Sequence, residues 1–181
     1  MILGVLGGSF DPPHIAHAMI GFYVLETQGV DRALYCPTAA HPLGKPLTPF
    51  AHRLAMTRLA VAQFGERAEA LDIEHRLPRP NYTITLLCEL QRLHPDAQIR
   101  LIIGSDILAE CGQWKDFDQI ERDFAPIVVP RPGHPVGDET TAMPDVSSSE
   151  IRRRLREGED AASFLHRDVL AYIMRHELYG T

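Results

Sequence analysis

The chain is predicted to fold in the α/β class, as a parallel sheet covered by helices on both faces. Three observations predict it. Short apolar runs of strand character alternate with longer stretches of helical spacing from end to end. The clearest runs, Ile2–Leu6 and Leu101–Ile103, are apolar throughout, as in strands buried on both faces. Gly or Pro stands at most junctions between the two kinds of segment.

The first strand is Ile2–Leu6, followed by Gly7-Gly8 as a strand-to-helix turn. Asp11 is placed to cap the next helix, with Pro12 at its first position; this helix runs from Ile15 to Gln28 and ends at Gly29. Ala33–Cys36 is the second strand, closed by Pro37. Thr48-Pro49 opens a helix with Leu54, Met56, Leu59 and Val61 on its apolar side, ending near Gly65. A third strand is assigned to Leu71–Ile73. From Tyr82 to Leu93 the residues Ile84, Leu87, Leu90 and Leu93 make one helical stripe. Leu101–Ile103 is the central strand, ended by Gly104. A short helix over Phe117–Phe124 and a strand at Ile127–Val129 follow, the latter stopped by Pro130 and Pro132. Arg131 to Met143 reads as an exposed loop, Ser147 to Arg156 as a helix before Gly158, and Asp168 to His176 as the last helix.

Size and composition narrow the function. A chain of 181 residues suits one domain, 1–181, and 45% apolar residues suffice for a buried core. With 18 basic against 24 acidic residues the net charge is −6, which excludes a broad nucleic-acid-binding face while allowing a local basic pocket. No apolar run is long enough to span a membrane, and Met1 leads straight into a strand-like run, so the expected location is cytoplasmic. Three cysteines (Cys36, Cys88, Cys111) without paired spacing fit a reducing compartment rather than a disulfide or zinc framework.

In open parallel sheets ligands bind beyond the carboxyl ends of the strands, so the chemistry is sought there. The first end reads Gly-Gly-Ser-Phe-Asp-Pro-Pro-His-Ile-Ala-His, 7–17. Its glycines allow backbone to approach an anion, but Pro12 and Pro13 remove two N–H donors from the helix start. His14 and His17, three apart, share a helix face and can restore donors; as zinc ligands they lack a third partner of suitable spacing. The second end is Gly104-Ser105-Asp106, where Asp106 is either a helix cap or a hydroxyl-binding carboxylate. The third stretch is Ser147-Ser148-Ser149-Glu150-Ile151-Arg152. With the helix starting at Ser148 or Ser149, Arg152 falls in its first turn, where a cation opposes the helix dipole unless a polyanion binds. Serine hydroxyls, helix N–H groups and a guanidinium suit phosphate; a plain Ser-capped helix with solvated arginines is the alternative.

Taken together, these stretches resemble a known family. GSFDPPHIAH is similar to the G-x-F-D-P-x-H-x-G-H signature of the HxGH nucleotidyltransferases, and SSSEIR resembles their second signature. Asn81-Tyr82-Thr83, Ile102–Asp106, Trp114-Lys115, Val128–His134 and the closing VLAYIMRHELYG look like nicotinate-nucleotide adenylyltransferase, in order along essentially the whole chain.

The resemblance implies a doubly wound, Rossmann-like sheet with a small helical C-terminal part at about 147–181. It implies that the phosphate of nicotinate mononucleotide attacks the α-phosphate of ATP, giving a dinucleotide on the route to NAD and pyrophosphate. Mg²⁺ would come with ATP, with no protein metal ligand. His14, His17 and Arg152 are then the catalytic residues, His17 stabilising the transition state. The backbone of Gly8, Ser9 and Phe10, together with Gly104, Asp106, Ser147 and Ser148, would hold ATP. Lys45, Thr83, Thr85 and Trp114 would surround the acceptor, Trp114 stacking on its ring. The expected partners are these two substrates, without nucleic acid or membrane; self-association as a homo-oligomer is left open.

The chain departs from the family pattern at Ala16, which replaces a glycine, and at Ser149, which replaces threonine. It also departs at His41-Pro42-Leu43-Gly44-Lys45, where Pro-Pro-His-Lys is usual, and at Thr85-Leu86, where Asp-Thr is common. The last two border the acceptor. The rivals are the same chemistry with nicotinamide mononucleotide, a phosphopantetheine adenylyltransferase, and a nucleotide-binding sensor without turnover.

Overall fold

The structure, a computed structural model, describes residues 1–40, 44, 46–134 and 143–181. Five strands, β1 (Ile2–Gly8), β2 (Arg32–Pro37), β3 (Ala68–Ala70), β4 (Gln98–Gly104) and β5 (Ile127–Val129), form a parallel sheet in the order β3-β2-β1-β4-β5. The helices are α1 (Ile15–Thr27), α2 (Phe50–Val61), α3 (Thr83–Leu93), α4 (Leu108–Cys111), α5 (Phe117–Phe124), α6 (Ser148–Arg156) and α7 (Arg167–Arg175).

The period-two alternation of the strands builds a core on each face of the sheet. Leu3 and Val5 of β1, Leu34 and Cys36 of β2, and Ile99, Leu101 and Ile103 of β4 pack against Leu87 and Leu90 of α3 and Ile120 and Phe124 of α5. The residues between them, Leu6, Ala33, Tyr35 and Ile102, face the other way and meet Ile20 and Val24 of α1 and Leu54 and Val61 of α2. This is the doubly wound arrangement expected. A third cluster joins the outer side of α2, at Met56 and Ala60, to Ile151 and Leu155 of α6 and Val169 and Ile173 of α7. The C-terminal helices therefore pack on α2 and not on the sheet.

Several expected boundaries move. β1 continues through Gly7 and Gly8, which pair with Cys36 and Pro37, so these glycines are the end of a strand and not a turn. Asp11 does not cap α1, and Pro12 is not its first residue: His14 is the extended N-cap and the helix starts at Ile15. The third strand is Ala68–Ala70, not Leu71–Ile73. Two small alanines alternate with an exposed Glu69 against β2, whereas Ile73 leaves the ladder to pack in the core on the α3 side. A regular α-helix stops at Val61, and tighter helical turns carry the chain to a kink at Gly65. Ser147 caps α6 by accepting the Glu150 N–H, so Arg152 lies beyond the first turn.

One glycine governs how α1 seats. A Cβ on Gly21 would lie 2.0 Å from the Tyr35 hydroxyl, which donates to the His17 carbonyl at 3.0 Å. Tyr35 is fully buried and has nowhere to retreat. Gly21→Ala is therefore expected to destabilise the fold by about 1–3 kcal/mol, read as a lower urea midpoint at unchanged m-value.

Candidate active site

All five strands end at one edge of the sheet, and the order reverses between β1 and β4. Gly8 and Gly104, the last residues of those two strands, flank the crevice where such sheets bind ligands. A Cβ on Gly104 would lie 2.3 Å from Asp106 Oδ1 and 3.2 Å from the Arg131 side chain, so a side chain here would push the Asp106 carboxylate aside. Asp106 is not a cap; its Oδ2 is 3.8 Å from Arg131 Nε.

The chain after β1 turns at Phe10, whose φ of 48° is rare for a side-chain-bearing residue. Its ring is buried and packs edge-on against His17, 4.9 Å between centroids, and against Tyr35. Phe10 can therefore offer only backbone to a ligand. The His14 and His17 rings lie 3.8 Å apart. The His14 N–H donates to His17 Nδ1 at 3.1 Å, so a neutral His17 carries its proton on Nε2 as a free donor. Burial, and then the charge of Arg131, lower the His14 pKa to about 4. Burial, His14 and Arg131 hold His17 well below the usual imidazole range. Both rings are neutral at pH 7. His14 Nδ1 is buried with no protein partner, an orphaned polar atom of the kind that gathers at functional sites.

The second signature closes on the first. Ser148 donates its hydroxyl to the Pro12 carbonyl at 2.9 Å, and Arg152 Nη1 donates to the Asp11 carbonyl at 2.5 Å. Arg152 Nη2 also reaches Ser149 Oγ at 3.2 Å. On the same helix Arg153 and Arg154 are neutralised by Glu150, and Arg153 also by Glu157 and Glu159. Among the described residues Arg152 has no carboxylate partner. Its charge is therefore available to an anion. Ser147 accepts the Glu150 N–H to cap α6, which leaves its hydroxyl hydrogen free to donate to a ligand.

The acceptor residues are less gathered. Trp114 is half-buried, meets Phe117 edge-on at 6.2 Å and packs against the core on the α3 side of the sheet. Thr83 is the first residue of α3. Thr85 lines a groove of about 480 Å³ with Cys88, Arg92 and Lys115, which does not include Thr83 or Trp114. Lys45 and His41 lie outside the described residues. A further groove of about 520 Å³ runs along α1 past Ile15, Met19 and Phe22; it shares His14 but not the glycine edges with the crevice.

Sequence reasoning missed Arg131 and Arg53 and misassigned Asp11. Arg131 presses its charge on both histidines; an arginine between two prolines just past a strand end was the available signal. Arg53 is 1% exposed and donates to the carbonyls of Thr48, Ser9 and Thr38, each at 2.8 Å. An arginine beside Leu54 on an apolar helix face marked it. Asp11 is 3% exposed and accepts from Thr48 N–H at 3.1 Å and from the Tyr179 hydroxyl at 2.7 Å. Nothing local foretold the contact with Tyr179, because it joins residues 168 apart.

Comparison with known proteins agrees with this geometry. The cytidylyltransferase-like family matches residues 5–154. The chain is 41% identical to the protein of Anaeromyxobacter sp. (strain K) named "Probable nicotinate-nucleotide adenylyltransferase", over 98% of this chain and 96% of that one. It is 35% identical to a protein of the same name from Thermus thermophilus, over 99% and 100%. A nicotinic acid mononucleotide adenylyltransferase of Plasmodium falciparum, complexed with NaAD, has the same fold, with a TM-score of 0.82 at 21% identity over 98% of this chain and 97% of that one. No helix of the described residues is long and apolar enough to cross a membrane. This chain belongs to the cytidylyltransferase-like family and, within it, to the nicotinate-nucleotide adenylyltransferases.

Proposed function

We infer that the chain transfers the adenylyl group of ATP to the phosphate of nicotinate mononucleotide, forming nicotinate adenine dinucleotide and pyrophosphate. One observation supports this most: Arg152 and Ser148 meet the Asp11-Pro12 turn beside the paired neutral histidines, at the edge where the sheet order reverses. Two polyanions brought into line need cations and oriented donors, and no protein nucleophile. His17 Nε2–H is fixed as a donor and would bond an oxygen of the transferred phosphate, gaining strength as charge develops there. His14 stacks beside it. Arg152 and Ser148 would hold the β- and γ-phosphates, with the α6 N–H groups that Ser147 helps to present. The backbone of Gly8, Ser9 and Phe10 would line the phosphate path, and Gly104 and Asp106 the ATP ribose.

The donor set of the crevice suits a triphosphate that brings its own cation. Arg131 and Arg152 bring two cations against the one carboxylate of Asp106, and the described residues hold no cluster of three or more His, Cys, Asp or Glu side chains fit to bind a metal. Mg²⁺ would enter on ATP, offsetting phosphate charge. On the acceptor side, Trp114 would stack on the pyridine ring and Thr83, Thr85 and Lys45 would border it. Lys115, adjacent to Trp114 and lining the same groove as Thr85, favours a carboxylate over a carboxamide. The 181 residues would act as one nucleotidyltransferase unit with 147–181 as its helical tail. The free thiols of Cys36, Cys88 and Cys111 suit a reducing cytoplasm.

The test is pyrophosphate release with ATP and each acceptor in turn. Nicotinate mononucleotide is expected to give the highest kcat/KM, well above nicotinamide mononucleotide. Release only with phosphopantetheine, or ATP binding without release for any acceptor, would sink this reading.

A further inference from the structure

The chain ends in an unusual turn. Glu177 and Tyr179 have φ of 49° and 65°, in the left-handed region that side-chain-bearing residues avoid. Such residues cost about 1 kcal/mol or more each and persist only where the surroundings hold them. Here Leu178 and the Tyr179 ring rest on the cluster formed by α2, α6 and α7. The Tyr179 hydroxyl passes beyond that cluster and donates to Asp11 Oδ1 at 2.7 Å. Apolar packing alone would keep the ring in place without this bond.

Asp11 is held at three points. Its Oδ1 takes Tyr179, its Oδ2 takes the Thr48 N–H, and its main-chain carbonyl takes Arg152 Nη1. The carboxylate thus fixes the orientation of the peptide that anchors Arg152, three residues before His14. Arg153 and Arg154 are locked by carboxylates, but Arg152 depends on this carbonyl and on Ser149 Oγ. An arginine held by two neutral oxygens keeps its full charge for an incoming anion while its long side chain is already ordered.

We propose that Tyr179 is a positioning residue of the phosphate clamp: through Asp11 it pre-orders Arg152 for the triphosphate. The inference rests on the reading of Arg152 as a phosphate ligand. Without the hydroxyl, Asp11 Oδ1 is buried unpaired, the carboxylate turns toward Arg53 or water, and Arg152 loses the fixed direction of its main acceptor. Binding ATP must then order the side chain from a freer state.

The experiment is a double-mutant cycle on the full chain, with Tyr179→Phe, Arg152→Ala and the pair. Binding of an ATP analogue with a methylene bridge between the α- and β-phosphates is measured by calorimetry, together with KM for each substrate and thermal melting. Tyr179→Phe keeps the ring and is expected to fold. It should weaken analogue binding and raise the ATP KM about fivefold to twentyfold, as for loss of a bond to a charged group, with the acceptor KM unchanged. In the Arg152→Ala background, Tyr179→Phe should change analogue binding by less than about twofold, because the side chain it orders is gone. A full effect of Tyr179→Phe in both backgrounds, or equal rises in both KM values, overturns the positioning role while leaving the clamp intact. Unchanged analogue binding in Arg152→Ala overturns the clamp reading itself, and the positioning role with it.

Discussion

Replacing His17 by alanine is expected to lower kcat by about 10²- to 10⁴-fold while leaving ATP binding within a few fold of the parent. The size follows from the geometry. His17 Nδ1 is occupied by the His14 N–H, which leaves Nε2–H as a donor aimed away from the backbone. Phe10 and the His14 N–H hold the ring and Tyr35 holds the His17 carbonyl, so little reorganisation is needed at the moment of reaction. On the proposed reading, ground-state affinity would rest elsewhere, on Arg152, Ser148 and the strand-end backbone. Pyrophosphate release checks the rate, and calorimetry with the methylene analogue checks the binding. A variant that lost ATP affinity and rate in equal measure would make His17 a general phosphate ligand instead.

The pH dependence follows from the same environment. In the free protein both rings are neutral at pH 7: burial and Arg131 lower His14 to about 4, and burial, His14 and Arg131 hold His17 well below the usual imidazole range. On the proposed role of His17, the rate would need a neutral N–H donor and no imidazolium. Accordingly, kcat/KM should not decline tenfold per pH unit above about 6.5, as it would if a protonated histidine of ordinary pKa were required. Stability should respond in the other direction. Between about pH 6.5 and 4 the unfolded chain takes up a proton at residue 14 that the folded chain refuses, so stability falls as pH falls through this window. For His14 alone the loss reaches about 3 kcal/mol by pH 4. Urea unfolding of the parent and of His14→Asn at about pH 7 and pH 4.5 measures it; the variant should lose less.

Most strands and both signatures are legible because each depends on local spacing. Leu101–Ile103 could only be a buried strand, and His14 and His17 share a face through their separation alone. Leu71–Ile73 misled because its apolar run belongs to the core and not to the ladder; the edge strand is made of Ala68 and Ala70, which carry little hydrophobic signal. The residue type of Asp11 suits a helix cap, yet it serves Thr48 and Tyr179. A side chain that acts over a long sequence separation leaves no periodicity. The same holds for Arg131, whose charge reaches the histidines only once β5 is laid beside β4.

Arg53 is the strongest such case, and its replacement by methionine is expected to destabilise the fold by about 4 kcal/mol or more. Methionine fills much of the volume, so packing loss is small and the cost is polar. Three carbonyls of half-buried residues, Thr48, Ser9 and Thr38, lose their donor together, each costing up to about 1–3 kcal/mol where water cannot replace it. The buried carboxylates of Asp11 and Glu74 lose the nearby positive charge, although Thr38, Ala39, Thr48 and Tyr179 still donate to them. For a chain of this length the melting temperature should fall by about 8–16 °C. Arg53→Lys separates charge from geometry. An ammonium restores the positive charge but not the planar fork that reaches three carbonyls at once, so it should recover less than half of the loss. Full recovery by lysine would show that the charge alone matters. The three carbonyls also mark where activity should suffer beyond stability. Ser9 precedes the Phe10 turn, Thr38 follows β2, and Thr48 precedes α2, so one guanidinium ties together three segments around the strand ends. With these segments freed, kcat should fall further than the folded fraction at the assay temperature accounts for, because His17 and the backbone of Gly8 and Ser9 no longer share a fixed frame.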